Sequence, residues 1–378
     1  MNAILIIAFT NLKKDPRVSR QIDYLKKDYQ LTTVGLASPE VKGVEFYKIS
    51  PLKRPMLSRI KRAFVYKLHR FEPLYWSLYD FQPLLDIFAK KRFDLIIAND
   101  IETLPFSLKI ANSAKVLADL HEYAPGQFED QFIWRFFFQD FNKYICATYL
   151  RQCDEIITAS PGFVELYKKN YNINPIVIGN ETDYVELQPK PVNKENIRII
   201  SHGVAMPTRK LEFMIKIMDY MDPVFHLDLM LIPANPVYYQ RLKAMAARRR
   251  NLSIIPPVAR EEIIPITNNY DLSFMIFKPV STNMKYAMSN KFFESLQARL
   301  AIVMGTSHQP QAEILKRYGC GIVLESFKPG RIAAQLNQLT AKQIEEFKQN
   351  AHLAARELTS QKNMEKLEEI VNRLIKPA

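Results

Sequence analysis

Two short stretches in the second half of this sequence place cations where an anion could be met. Gly203 opens a turn that runs to Thr208, and Arg209 follows it, just before an apolar helical stretch that begins at Leu211. A guanidinium there would join the free N–H groups of a helix start in holding a phosphate. Further on, Ser289 and Asn290 are residue types that cap a helix, and Lys291 and Glu294 fall in the first turn of the helix Lys291–Ala298. Lys291 would supply a second cation, whereas Glu294 in that turn need only favour the helix dipole. In the first half, Asp119, His121 and Glu122 stand at the end of an apolar run, and Asp100 ends another. His121 is the best placed of the six histidines for hydrogen bonding or proton transfer, although a structural hydrogen bond would suit the same place. Asp15 and Arg17 follow the first apolar run; Asp15, with Pro16 behind it, is equally suited to capping a helix.

The elements that must position these residues alternate. Strand-like runs at Asn2–Phe9, Leu31–Leu36, Leu95–Ala98, Ala114–Leu120, Glu155–Ala159 and Pro175–Gly179 are separated by helical patterns, including Pro16–Lys27, Pro161–Asn170 and a long aromatic one through Phe128–Leu150. Near-continuous Ile, Leu, Val and Ala runs of this kind predict parallel sheets covered on both faces. Leu187–Asn196 is polar and proline-bearing, a linker. A second alternating series follows from Ile197 to Val323. The expected organisation is therefore an N-terminal Rossmann-like domain over 1–188 and a C-terminal one over 189–355. A helix over 356–378, with Met364, Leu367, Val371 and Leu374 on one face, would pack on the domains and could cross back to the first. Two such domains in tandem would make a cleft at the carboxyl ends of their sheets.

Composition narrows the function classes. The chain has 378 residues, with 52 Lys+Arg against 39 Asp+Glu for a formal charge of +13, which suits two or three domains of a basic protein. With 48% apolar and 24% charged residues it is globular rather than disordered, and no apolar run is long enough to span a bilayer. The 10 glycines are too dispersed for a dinucleotide or P-loop fingerprint. Cys146, Cys153 and Cys320 are odd in number and lack metal-ligand spacing, so neither a disulfide framework nor a zinc site is expected, and a reducing compartment fits. Met1–Thr10 has no basic lead, and Asp15 stands where a cleavage site would need small residues, so it reads as a first buried strand and not a signal peptide.

Several segments, in order from about residue 1 to 325, resemble the GT-B glycosyltransferases, family 4 in particular, as found in bacterial polysaccharide and cell-envelope synthesis. DPRVSRQIDYL (Asp15–Leu25) is similar to the family's DPRVRRxAxxL. FDLIIANDIETLP (Phe93–Pro105) and VLADLHEYAP (Val116–Pro125) resemble its strand-ending stretches. SHGVAMPTRKLEFMI (Ser201–Ile215) resembles its G-x5-R-G-L phosphate loop, with Lys210 in the place of glycine, and KYAMSNKFFESLQARLAIV (Lys285–Val303) resembles YxxPNKxxEYLAxGxPVV. The resemblance implies an α/β GT-B fold of two doubly wound parallel-sheet domains. It implies transfer from a UDP-, GDP- or similar nucleotide-sugar to a glycan or lipid-linked saccharide, with retention of configuration, no metal and no cofactor. On this reading Glu294 accepts ribose hydroxyls, and Gly203, Arg209, Ser289, Asn290 and Lys291 hold the donor, with Arg209 and Lys291 stabilising the leaving phosphate. His121 approaches the donor sugar, Asp119 orients it or caps a turn, and Asp15, Arg17, Asp100 and Glu122 line the acceptor side. Many members carry a second glutamate where this chain has Tyr286, so the donor-sugar contact would pass to Tyr286 or to backbone.

The basic excess concentrates in Lys53–Arg70, interleaved with apolar and aromatic residues and followed by Trp76. Such a stretch suits an anionic membrane surface, and with a reducing compartment it predicts a cytoplasmic protein peripheral to the inner face of the membrane. The same pattern would also suit a solvated face packed by its apolar side. A basic nucleic-acid binder is a competing class, disfavoured because the positives are dispersed and no recognised module is present, so no nucleic-acid partner is expected. An acceptor-independent sugar-nucleotide epimerase is a third.

Overall fold

The computed structural model describes residues 1–52, 69–277, 280–305 and 309–376. It forms two α/β units. One comprises Met1–Gly179, Val280–Ala287 and Lys362–Ala378; the other comprises Asn180–Pro279 and Met288–Gln361. The border thus falls ahead of the polar Leu187–Asn196 stretch, and one short segment of the second half belongs to the first unit.

The first unit is built on seven strands: β1 (Ala3–Ile7), β2 (Gln30–Gly35), β3 (Glu45–Lys48), β4 (Leu95–Asn99), β5 (Lys115–Leu120), β6 (Glu155–Thr158) and β7 (Ile176–Val177). They are all parallel, in the order β3-β2-β1-β4-β5-β6-β7. The unbroken apolar runs have a simple cause. Leu5 and Ile7 of β1, Ile96 and Ala98 of β4, and Ala118 of β5 enter the core on one face, while Ile4, Ile6, Leu95, Ile97 and Leu117 enter the core on the other. Successive side chains point to opposite faces, so a strand buried on both sides has no polar position to spare. The second core is closed by the helix Ser360–Ile375, which contributes Met364, Leu367, Ile370 and Val371, with Leu374 partly buried beside them. Tyr24 donates to Glu368 at 2.9 Å and Tyr29 to Asn372 at 2.9 Å, fixing that helix against the helix Pro16–Leu25 and the turn after it.

The segment Val280–Ala287 carries the short helix Thr282–Tyr286. Asn283 accepts from the amide of Tyr123 at 3.0 Å and donates to Glu122 at 3.0 Å, while the Ser160 hydroxyl donates to the Tyr286 carbonyl. The Tyr286 ring lies where a Cβ on Gly162 would stand, 2.7 Å away, so glycine is required there for close approach.

The second unit has six parallel strands: β8 (Ile197–Val204), β9 (Phe225–Ile232), β10 (Leu252–Ile255), β11 (Leu272–Met275), β12 (Ala301–Gly305) and β13 (Gly321–Leu324). Their order is β10-β9-β8-β11-β12-β13. In each sheet the strand order reverses beside the first strand, between β1 and β4 and between β8 and β11, the places where such sheets bind ligands at their carboxyl ends.

Three local expectations differ from what is found. The aromatic stretch Phe128–Leu150 is not one helix but two, Phe132–Phe137 and Gln139–Tyr149, meeting at Phe138. The second buries Phe141, Ile145 and Cys146; the first buries nothing, and a single straight helix could not serve both surroundings. β3 was not anticipated, since EFYK is short and half-exposed and lacks an apolar run. Most of the basic stretch Lys53–Trp76 lies outside the described residues. Its described end is the packed helix Phe71–Trp76, in which Phe71, Leu74 and Tyr75 are buried and the Trp76 indole donates to Glu72 at 2.7 Å, so this end supplies core and not an exposed aromatic face. Among the described residues no helix is long and apolar enough to cross a membrane.

Candidate functional site

Each unit carries a polar cluster at the carboxyl end of its sheet. In the second unit the cluster is assembled by β8 and the helix Asn290–Gln297, whose N-cap Ser289 accepts from the Lys291 amide at 3.3 Å. Gly203, near the end of β8, has φ +140°, and a Cβ built on it would fall 2.2 Å from the Lys291 ammonium nitrogen. Glycine is therefore needed twice over, for its backbone and to make room for that cation. The ammonium also lies 5.3 Å from the centre of the Phe277 ring. Among the described residues it has no hydrogen-bonding or ion-pairing partner. Burial, and then the charge of Arg209, push it down to about 8, with Glu294 acting the other way. A buried ammonium without a hydrogen-bonding partner, with a second cation near enough to lower its pKa, is a ready site for an anion.

Arg209 ends the short turn Pro207–Arg209, and its side chain is exposed. Lys210 then takes left-handed geometry, with φ 48° and ψ 46°. That is the conformation glycine adopts without strain, and Lys210 holds it without that freedom. The helix that follows, Glu212–Ile217, has only six residues and no side-chain cap, so Arg209 sits beside a much shorter helix than the apolar pattern suggests. Asn290 is the exposed first residue of its helix.

Glu294 is one turn beyond Lys291 and is tied to a residue that the sequence did not single out. His202 Nε2 lies 2.8 Å from Glu294 Oε2, and both side chains are largely buried, at 9% and 15% exposure. Burial of Glu294 raises its pKa, but the hydrogen bond to His202, the charge of that ring, and those of Arg260 and Lys291 together hold it below the ordinary carboxylate range. The one signal for His202 in the sequence was its place directly before Gly203.

In the first unit, β4 and β5 bring Asn99, Asp100, Asp119 and His121 together. His121 Nε2 is 3.0 Å from Asn99 Oδ1, its Nδ1 is 3.4 Å from Asp100 Oδ2, and its amide donates to Asp100 Oδ1 at 3.0 Å. Asp100 thus grips the histidine from both backbone and ring. It does so from a strained conformation, φ 61° and ψ 162°, uncommon for a residue with a side chain. Burial raises the Asp100 pKa against the opposing charge and amide of His121.

Asp119 has a different task. It is fully buried, accepts two parallel bonds from Arg17 at 2.7 and 2.8 Å, and lies 3.8 Å from His121. Arg17 also donates to the carbonyls of Ile178 and Gly179, at 2.8 and 3.1 Å. Asp15 accepts from the amides of Arg17 and Val18, at 3.2 and 3.3 Å, the capping role. These three residues knit the strand ends. Glu122 faces Asn283, and Tyr286 packs on Gly162 within this unit while Glu294 belongs to the other.

The residue overlooked in this cluster is Glu102. It is half-buried in the turn Ile101–Thr103, and burial, then the charges of Asp100, Glu122 and Asp15, push its carboxyl up to about 8. A group raised from 4.5 to about 8 on folding contributes stability that is complete below the lower value and is lost as pH rises through the higher one. Glu102→Gln should therefore be more resistant to denaturant than the wild type at about pH 8 and nearly equal to it at about pH 5. Both tryptophans, Trp76 and Trp134, lie in this unit, so denaturant titration followed by their fluorescence reads its unfolding directly.

No protein-family model and no curated protein sequence matches the chain. Solved structures do. A glycosyltransferase from Rickettsia africae aligns with a TM-score of 0.71 at 13% identity, covering 100% of this chain and 99% of that one. Anabaena Alr3699/HepE, solved in complex with UDP and glucose, aligns at 0.72 and 13%, covering 98% of this chain and 100% of its own. Sucrose-phosphate synthase from Thermosynechococcus elongatus aligns at 0.74 and 10%, covering 99% of each. At such low identity the likeness is one of fold, and the fold is the GT-B arrangement of two parallel-sheet α/β domains.

Proposed function

We propose that the protein is a glycosyltransferase that moves a sugar from a nucleoside-diphosphate donor to a hydroxyl of a glycan or lipid-linked acceptor. The observation that carries this reading is the strand end at Gly203 in the second unit, where the Lys291 ammonium takes the space a Cβ would fill, without a hydrogen-bonding partner among the described residues, one helical turn from the Glu294 carboxylate and under the charge of Arg209. A diphosphate matches the cations, and the hydroxyls of a ribose match Glu294. The resemblance to family 4 and the UDP complexes of Alr3699/HepE point the same way.

In the proposed reaction the bond between the sugar's anomeric carbon and the donor phosphate breaks, and a bond to the acceptor oxygen forms on the same face. The acceptor proton passes to the departing phosphate oxygen. Lys291 and Arg209 stabilise the charge that develops on that phosphate, the kind of electrostatic contribution that usually dominates. His121, held by Asn99 and Asp100, meets the transferred sugar, with Glu122 and Glu102 beside the acceptor. No metal is required in this scheme. A cell-envelope role, with the basic Lys53–Trp76 stretch on an anionic cytoplasmic leaflet, belongs to the same proposal.

Calorimetric titration with UDP, GDP and their sugar conjugates tests it. One nucleoside diphosphate should bind, and His121→Ala should lower turnover by about 10²-fold, the scale of a misplaced reacting group, while that affinity stays near wild type. Absence of binding across the panel would overturn the reading.

A further inference from the structure

The strand residues 202 and 203 and the helix residues 294 and 291 form two matched pairs: His202 with Glu294, and Gly203 with Lys291. Adjacent positions on β8 thus govern two side chains one turn apart on the helix Asn290–Gln297. The Gly203 pair makes room for a cation. The His202 pair fixes a carboxylate. Among the described residues Glu294 Oε1 accepts no hydrogen bond, whereas Oε2 is held by the imidazole at 2.8 Å. A largely buried glutamate with one oxygen restrained has lost most of its rotamer freedom, and its other oxygen is left as an acceptor for a ligand hydroxyl.

We infer that His202 is a positioning residue which aims Glu294 at a donor-ribose hydroxyl, and so gives the protein its preference for ribonucleoside diphosphates over nucleotides lacking those hydroxyls. This inference rests on the glycosyltransferase reading above. His202 touches Glu294 and not the donor, so its effect passes entirely through the carboxylate. Lys291 and Arg209 meet the diphosphate independently, and removing the imidazole should leave their contribution in place.

The experiment compares UDP with 2′,3′-dideoxy-UDP, or the corresponding pair for whichever base binds, on wild-type protein, His202→Leu, His202→Gln, Glu294→Ala and His202→Leu/Glu294→Ala. His202→Leu should weaken UDP binding about tenfold, the scale of one hydrogen bond to a charged group, and leave dideoxy-UDP within about twofold. His202→Gln, whose amide can donate from nearly the place of Nε2, should recover most of the UDP affinity. The double variant should bind UDP no more weakly than Glu294→Ala alone, since the histidine has nothing left to position. A purely structural histidine would instead lower the affinity for both nucleotides together, and that outcome overturns the inference. So does unchanged UDP affinity in His202→Leu when Glu294→Ala is impaired. If Glu294→Ala leaves UDP affinity unchanged while Lys291→Ala weakens it, the ribose role fails but the diphosphate reading survives. If no nucleotide binds the wild type, the glycosyltransferase reading itself has failed and the inference falls with it. Should His202→Leu not fold, His202→Gln and the ring-nitrogen NMR signals of His202 in wild type and Glu294→Gln carry the test. An Nε2 signal that ignores Glu294→Gln would overturn the inference.

Discussion

Gly203→Ala should reduce affinity for the nucleoside diphosphate by about 10- to 100-fold, the loss expected when one charge-assisted hydrogen bond is removed. The reason is steric and local. The new methyl would stand 2.2 Å from the Lys291 ammonium and 2.7 Å from its neighbouring carbon, so the flexible end of that side chain must move off the strand end. The fold can absorb this because the clashing atoms belong to a lysine tip and not to backbone, although φ +140° at residue 203 adds strain of about 1–3 kcal/mol for any residue with a Cβ. Calorimetry reads the affinity, and circular dichroism confirms the fold.

The same cation should make binding depend on pH. The Lys291 ammonium is pushed down to about 8 by burial and by Arg209, and a bound phosphate favours its charged form. Binding above that pH must therefore take up a proton, so wild-type affinity should fall as pH rises from about 7 to about 9.5, and Lys291→Arg should flatten the fall. For the unliganded protein the sign is opposite. Between about 8 and the ordinary value of 10.5 the unfolded chain holds the extra proton, so this group's share of stability rises with pH there. Affinity that is level across the range would remove Lys291 from the phosphate site.

How much of this was legible in the sequence depends on the length scale of the signal. The parallel sheets were legible because two-sided burial writes an unbroken apolar run, as at Leu95–Asn99, and strand-end polar residues such as Asp100 and His121 stand out against it. The amphipathic face of Ser360–Ile375 was legible for the same reason. What was not legible is set by contacts between distant residues. His202 looks like one more residue in β8 until Glu294, far along the chain, arrives beside it. Arg17 looks like a free cation after the first strand until Asp119 and the carbonyls of Ile178 and Gly179 surround it. The Thr282–Tyr286 helix reads as part of the second half, and only its bonds to Ser160, Glu122 and Tyr123 assign it to the first unit. Glu102 carries no motif at all; its raised pKa comes from burial beside Asp100 and the other acids that the fold gathers.

The largest effect on stability should come from Asp119→Ala. Asp119 is 0% exposed and Arg17 6%, and the two form an ion pair at 2.7 Å. Removing one member of a buried pair leaves the other charge desolvated and uncompensated, which costs about 3–5 kcal/mol, a large share of the margin of any domain. The Gln21 amide, which also donates to Asp119, loses its acceptor as well. Arg17→Leu should cost a comparable amount by stranding the carboxylate. The double variant Arg17→Leu/Asp119→Ala should be less destabilised than the sum of the two, because no buried charge then remains unpaired, although the carbonyls of Ile178 and Gly179 lose their donor. Because Trp76 and Trp134 both belong to the first unit, denaturant unfolding followed by tryptophan fluorescence isolates that unit's transition. Costs that simply add in the double variant, or a single-variant loss below about 1 kcal/mol, would mean that water reaches the pair and that Asp119 is available to orient His121, as the sequence suggested.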